Sequence, residues 1–313
     1  MEDYIFHEGT LPSDVTLDYE EAIFNLPSFK SLQDSQHWIS FYILNQRRKK
    51  AVAGIHFHVE NHLARSPFRA PFGSVEFSKQ LLPRVLYEFL EYIEGQLKKQ
   101  GITELSIKNP PHGYEPGQLS LLETFLLNQK YAVSEAEVST LIQVTDESFT
   151  DVIRHSEKLR RRQAQKADFI FNNLTIDKLD EVYHFLSQCH ADKGYNLSMT
   201  LRELKRTVKE FPERYLLFVI LHQKKIVAAS VSIHINKNTL YNFFANHERG
   251  YNQLSPLILL IDGIYAFCRE NKITLLDLGT SAWQGKPNFN LLDFKIHIGG
   301  IPTPKLTFYK KIS

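Results

Sequence analysis

The sequence predicts an α/β (α+β) fold made of two similar units, each a mostly antiparallel sheet flanked by helices. Two repeated patterns carry this expectation. RKKAVAGIHFHV, from Arg48, and QKKIVAASVSIHI, from Gln223, each set a basic turn before alternating apolar residues, the pattern of a β-hairpin. LLPRVLYEFLEYIEGQLKKQGITELSI and LSPLILLIDGIYAFCRENKITLLDL each place a proline near a helix start, then apolar residues at helical spacing, then a short strand. The offset between matching positions is nearly constant: 175 from Lys50 to Lys225, 173 from Pro83 to Pro256 and 171 from Ile102 to Ile273. Shared order at a steady offset points to duplication of one α/β unit.

Each half continues with another helix and strand, EPGQLSLLETFLLNQKYAVSEAEVSTLIQV in the first and PNFNLLDFKIHIGGIPTPKLTFYKKI in the second, so the units are expected to correspond to their ends. Between them, SFTDVIRHSEKLRRRQAQKADF reads as one helix of roughly five turns at 3.6 residues per turn, with Ser148 or Thr150 as cap. The boundary is placed just before it, giving units 1–147 and 148–313. Two further helices are expected in TIDKLDEVYHFLSQCH and SMTLRELKRTVKEF, the second stopped by Pro212.

At 313 residues and 43% hydrophobic, the chain has apolar material for two ordinary domains. Its 37 basic and 35 acidic residues leave a formal charge of +2, too little for a general nucleic-acid binder, so any phosphate site must be local. Cys189 and Cys268 lack zinc-site spacing and are too few for a disulfide framework, which suits a reducing, cytoplasmic setting. The start, MEDYIFHEGT, is unlike a secretion signal, and runs such as Tyr215 to Leu221 are too short for an integral membrane segment.

This order of helices, long hairpin, helix and strand resembles the GNAT acyltransferase fold, and two such units in tandem resemble the FemAB-like transferases. HQKKIVAASVSI, the Ser255-Pro256 pair, LLDLGTS and DFKIHIGG carry the likeness in the second half, and SPFRAPFGSVEF adds to it in the first. The resemblance covers nearly the whole chain through short motifs. It implies an N-acyltransferase that uses acyl-CoA or aminoacyl-tRNA as donor, with no metal, and an amine acceptor, either a small molecule or a cell-envelope precursor. It also brings tRNA into view as a partner. Acetyl-CoA enzymes of the GNAT type cradle pyrophosphate in a Q/R-x-x-G-x-G/A loop before a helix. The corresponding run here, Arg249-Gly250-Tyr251-Asn252-Gln253-Leu254-Ser255-Pro256, has one glycine, although Arg249 and several N–H groups remain to meet an anion.

Lys295 stands among Phe, Leu and Ile just before Gly299 and Gly300. Read as a helix, Leu291, Leu292, Lys295 and Ile298 share one side, the lysine faces inward, and the glycines form the C-terminal cap. Read as a strand, Lys295 joins His297 on the face opposite Phe294, Ile296 and Ile298. A lysine near a helix C-terminus can simply favour the dipole. The resemblance offers another role: Phe294-Lys295 falls on the Phe-Lys pair that Fem-type enzymes place near the acyl-donor end. There the ammonium would stabilise a tetrahedral oxyanion or bind a donor phosphate.

Asp277, past a predicted strand, could hold or deprotonate the incoming amine, or cap its own loop. Ser281 and Trp283 could line the acceptor pocket. Arg161 or Arg162 falls in a basic stripe with Arg154, Lys158 and Gln165, with Lys166 adjoining, which is either a solvated face or a phosphate contact. His56 and His58 share a strand face as metal ligands do, yet no third ligand is evident and no metal is expected. Cys189-His190 is unsupported as a nucleophile pair, because adjacency in sequence does not give a dyad its geometry. The rival to catalysis is a ligand-binding or scaffold protein that retains the tandem fold, for which the one-glycine loop is the main support.

Overall fold

The expected order of elements occurs twice. In the computed structural model, which describes residues 4–34, 36–283 (Trp283 by its backbone alone) and 285–312, the first half runs β1 (Tyr4–Glu8), β2 (Thr16–Leu17), α1 (Pro27–Gln33), β3 (Trp38–Asn45), β4 (Lys50–Glu60), β5 (Leu63–Ser66), β6 (Glu76–Phe77), α2 (Pro83–Lys99), β7 (Glu104–Lys108) and α3 (Pro116–Asn128), then β8 (Ala132–Gln143). The second runs α4 (Phe149–Val152), α5 (His155–Gln165), β9 (Ile170–Leu174), α6 (Leu179–Ala191), α7 (Leu201–Glu210), β10 (Tyr215–His222), β11 (Lys225–Asn236) and β12 (Thr239–His247). It continues with α8 (Pro256–Glu270), β13 (Leu275–Thr280), β14 (Ala282–Trp283), β15 (Lys286–Pro287), α9 (Phe289–His297) and β16 (Ile301–Lys311).

Local chemistry accounts for these elements. Proline opens α2, α3 and α8, where its missing N–H costs nothing and its φ is already helical. Thr200 and Glu203 form a capping box at the start of α7. The predicted hairpins are the antiparallel pairs β3–β4 and β10–β11, and β1 and β9 extend them on the far side as antiparallel neighbours. In both halves the next strand then pairs in parallel across the long helix, β5 with β7 and β12 with β13. A parallel partner requires a crossover connection, and α2 and α8 supply it. Among the described residues no helix is long and apolar enough to cross a membrane.

The chain forms two compact units, residues 1–137 with 303–313, and residues 138–302. The sequence predicts a boundary at 147/148, with each half ending in its own strand. The structure instead exchanges the last strands. β16 pairs antiparallel with β7, and Phe308 is fully buried in the first unit's core with Phe41, Phe57 and Phe89. The later residues of β8 pair with β13, and Ile142 joins the second unit's core with Phe218, Leu260 and Leu276. Alternation in sequence tells a strand which face to bury but not which neighbour to choose. Each of these side chains contributes about 1.5–3 kcal/mol by leaving water, so the choice of neighbour is strongly enforced.

The single long helix expected after Ser148 is also broken. Ser148 caps it as predicted, with Asp151 completing a capping box, but Ile153 and Arg154 are extended between α4 and α5. Ile153 is buried, and the Arg154 N–H donates to the His297 carbonyl at the end of α9, 2.9 Å away. Docking against α9 therefore outweighs helix continuity.

Candidate active site

Two features of the second unit open a site at its centre. β12 and β13 are paired only from Thr239/Leu275 to Tyr241/Asp277. Beyond that point, residues 242–245 of one strand and 278–280 of the other line a cavity of about 270 Å³, closed by α8 through Leu257 and Ile261 and by α9 through Leu291, Phe294, Lys295 and Ile298. The wall mixes polar and apolar surface in nearly equal parts, with Lys295, His190, Tyr241, Asn242 and Thr280 as its side-chain polar groups.

The helical reading of Lys295 is the observed one. Asn288 caps α9 by accepting the Leu291 N–H, and the helix ends with Gly300 N–H on the Lys295 carbonyl and Gly299 N–H on that of Ile296. Gly299 has φ +90°, a conformation that favours glycine in such a cap. Lys295 is 7% exposed. Its ammonium does not reach the carbonyls of its own helix; it donates to the carbonyls of Gly279 (2.9 Å) and Thr280 (2.8 Å) at the end of β13. Burial lowers its pKa to about 8, partly offset by the nearby Asp277 carboxylate. A buried cation is thus fixed beside the cavity by two main-chain dipoles.

Asp277 is itself buried, and one carboxylate oxygen accepts both the Gly279 N–H (2.7 Å) and the Ser139 hydroxyl (3.0 Å). These contacts match the loop-capping reading of Asp277. Gly279 has φ +74°, so the carboxylate stabilises the turn that aims the Gly279 and Thr280 carbonyls at Lys295. Ser281 is buried; its N–H is held by the Val138 carbonyl, and its hydroxyl meets no partner among the described residues. Trp283 is on β14, and its side chain lies outside the described residues.

Arg249 to Leu254 form a 3-10 helix that leads into α8, with Arg249, Gly250, Asn252 and Gln253 exposed. Ser255 takes the left-handed conformation, φ 50°, at the cap position of α8 without capping it through its side chain. The Tyr251 ring packs on Phe169 and His222, and its hydroxyl meets His222 Nδ1 at 3.2 Å, so this side chain is turned into the unit rather than toward a ligand. Asn252 Oδ1 contacts His247 Nε2 at 2.8 Å. None of these residues lines the Lys295 cavity, whose lining on α8 begins at Leu257, two residues after Ser255.

Arg161 lies elsewhere. It donates to Asp262 on α8 at 2.7 Å, beside a second cavity of about 540 Å³ that also includes Gln165 and Arg269. The expected basic stripe is divided, because Arg154 stands outside α5 and Arg161 is paired.

In the sequence His190 stands out only as the neighbour of Cys189. The Cys189 thiol is buried and raised to about 11, which makes it a poor nucleophile. His190, in contrast, lines the cavity. Its Nδ1 contacts the Leu186 carbonyl at 2.8 Å, which can only accept, so the proton sits on Nδ1 and the Nε2 lone pair remains. Burial lowers its pKa and keeps the ring neutral near pH 7. The sequence signal was its place on α6, two turns after Tyr183 and one after Leu186.

Residues 148–290 match the family described as an acetyltransferase (GNAT) domain; the match ends five residues before Lys295. The fold is similar to that of FemX, with a TM-score of 0.70 at 9% identity over 94% of this chain and 93% of that one. It is also similar to a tandem GNAT protein from the clavulanic acid biosynthesis pathway, solved without AcCoA, with a TM-score of 0.54 at 10% identity over 91% and 87% of the two chains. A third likeness is to the C-terminal domain of a putative lysylphosphatidylglycerol synthetase from Agrobacterium fabrum, with a TM-score of 0.53 at 12% identity over 83% and 82%. No curated protein matches this sequence. The chain thus has the fold of the tandem GNAT proteins, and its second half matches the acetyltransferase (GNAT) domain family.

Proposed function

We propose that this protein is an N-acyltransferase whose reaction takes place at the parting of β12 and β13. The observation that carries this reading is Lys295, a buried ammonium on the wall of the cavity where the two strands part. The acyl end of the donor enters the cavity, and its phosphates lie toward Arg249 to Ser255 and the first N–H groups of α8. The acceptor amine attacks the acyl carbon; a C–N bond forms, the C–S bond of a thioester or the C–O bond of an aminoacyl ester breaks, and a thiol or ribose hydroxyl leaves. Lys295, with two N–H bonds committed to carbonyls, gives its third to the oxyanion of the tetrahedral intermediate. His190 Nε2 takes the proton lost by the amine and returns it to the leaving group. The family resemblance of the sequence supports acyl-CoA or aminoacyl-tRNA as donor, and a small amine or a cell-envelope precursor as acceptor.

One observation favours a second reading, a non-catalytic binding module: the Lys295 ammonium is already bonded twice within the protein, as a structural tie would be. Thermal unfolding with acetyl-CoA or with aminoacyl-tRNA, followed by product assay, separates the two. A donor that binds the native state raises the melting temperature, and an enzyme then forms an amide, whereas a module gains stability without product. Protection by neither donor overturns the acyl-transfer reading.

Arg249→Ala tests the placement of the donor. Arg249 is exposed on the 3-10 helix before α8, so its loss is expected to leave the fold intact, weaken donor binding and reduce the salt dependence of that binding. Unchanged affinity at low salt would place the phosphates elsewhere.

A further inference from the structure

The first unit gathers two imidazoles and a carboxylate where the sequence shows only an alternating pair. His56 and His58 both lie on β4 and are both buried, but they serve different partners. His56 Nδ1 meets the Ser40 hydroxyl at 2.8 Å, and its Nε2 faces Glu21 at 3.6 Å. His58 Nε2 instead lies 2.9 Å from Asp34 Oδ2, and His37 Nδ1 approaches the same oxygen at 2.8 Å. Asp34 and His37 come from the connection between α1 and β3. Among the described residues, Asp34, His37 and His58 are a group whose ligand atoms all lie within 4.8 Å of one another.

We propose that Asp34 Oδ2, His37 Nδ1 and His58 Nε2 form a binding site for a divalent transition-metal ion of the zinc class. Metal–ligand bonds of about 2.0–2.2 Å in a tetrahedral site hold ligand atoms roughly 3.3 Å apart. The two Asp34–imidazole separations are within about half an ångström of that value, so coordination needs only a small widening of the present hydrogen-bonded cluster. Its scaffold is already set. Asp34 Oδ1 accepts the Gln36 N–H at 2.9 Å and the Asp34 carbonyl accepts the Trp38 indole N–H at 2.9 Å, which orients the carboxylate. His58 is stacked on Phe68, centroids 3.8 Å apart at 9°, with the Trp38 ring edge-on at 5.3 Å.

The choice of ion follows from the donors and the surrounding charge. Two imidazoles and one carboxylate suit zinc, cobalt, nickel or copper, whereas magnesium and calcium prefer all-oxygen shells. Arg65 and Arg69 both lie over the Phe68 ring, at 5.9 and 5.2 Å, so binding must draw on imidazole coordination rather than on a negative surface. Three protein ligands leave a fourth position for water or an anion. The site lies wholly within the first unit and is independent of the acyl-transfer reading.

The test is titration of the metal-free full chain with Co²⁺, read by its visible absorption, and then displacement by Zn²⁺. One equivalent of Co²⁺ with tetrahedral-type absorption is expected, together with a rise in melting temperature on adding Zn²⁺. The His37 side chain is 61% exposed, so His37→Ala should leave the metal-free melting temperature unchanged and weaken Co²⁺ binding by at least about tenfold. Asp34→Asn should do the same to affinity. No Co²⁺ binding, or binding of equal strength and stoichiometry in both variants, overturns the proposal, because the ion is then held only by scattered histidines.

Discussion

Lys295→Met is expected to lower the turnover of whichever donor protects the protein by about 10²–10³, the usual loss when one oxyanion donor is removed. Methionine keeps much of the stem's packing but leaves the Gly279 and Thr280 carbonyls without their donor, at about 1–3 kcal/mol per buried group, partly offset because the cost of burying a charge also disappears. Turnover is therefore compared below the melting temperature of both proteins. Near-normal turnover in folded Lys295→Met would make the lysine a structural tie. The same residue predicts a pH signature. Its pKa is about 8 in the fold against 10.5 ordinarily, so between these values the unfolded chain binds more protons. Stability to urea is thus expected to rise with pH across that window, while the oxyanion contribution to turnover falls as pH passes about 8. The Lys295→Met variant should lose this part of the stability slope.

Gly300→Ala is expected to destabilise the second unit by about 1–3 kcal/mol or more, the range for overpacking a closed site. A Cβ there would press on the Thr140 methyl and come within 2.5 Å of the Lys295 carbonyl oxygen, which is main chain and cannot swing aside. A fall in melting temperature of about 2–4 °C per kcal/mol is the scale expected for a unit of this size. Gly95→Ala is the contrast: Gly95 lies inside α2 with nothing within 4 Å of the added carbon, so alanine should stabilise by about 0.5–1 kcal/mol. If Gly300→Ala melted like the wild type, the closure of α9 against β8 would be looser than described.

Elements were legible where a period of 2 or 3.6 ran through enough apolar residues: the two hairpins, α2, α8 and the inward face of α9. The inward position of Lys295 followed from that helical spacing. Its partners could not, because main-chain carbonyls carry no side-chain signal and depend on the turn at Gly279. The break between α4 and α5 was hidden for a related reason: no glycine or proline marks it, and a tertiary hydrogen bond to His297 causes it. Tyr251 looked available to a donor because its loop is polar, yet its ring finds Phe169 and His222, which are distant in sequence. His190 escaped notice because a lone histidine on a helix gains meaning only when the facing strands part around it.

The pairing of β16 with β7 also sets the order in which a nascent chain can mature. Residues 303–311 leave the ribosome only after all of 138–302, and until then the first-made sheet has an open edge beside β7 and lacks Phe308 from its core. Synthesis of residues up to 137 therefore leaves this unit incomplete. An unpaired strand edge invites association with other chains, so during translation the hazard falls on the unit made earlier, and losing residues 303–311 would injure a sheet built roughly two hundred residues upstream.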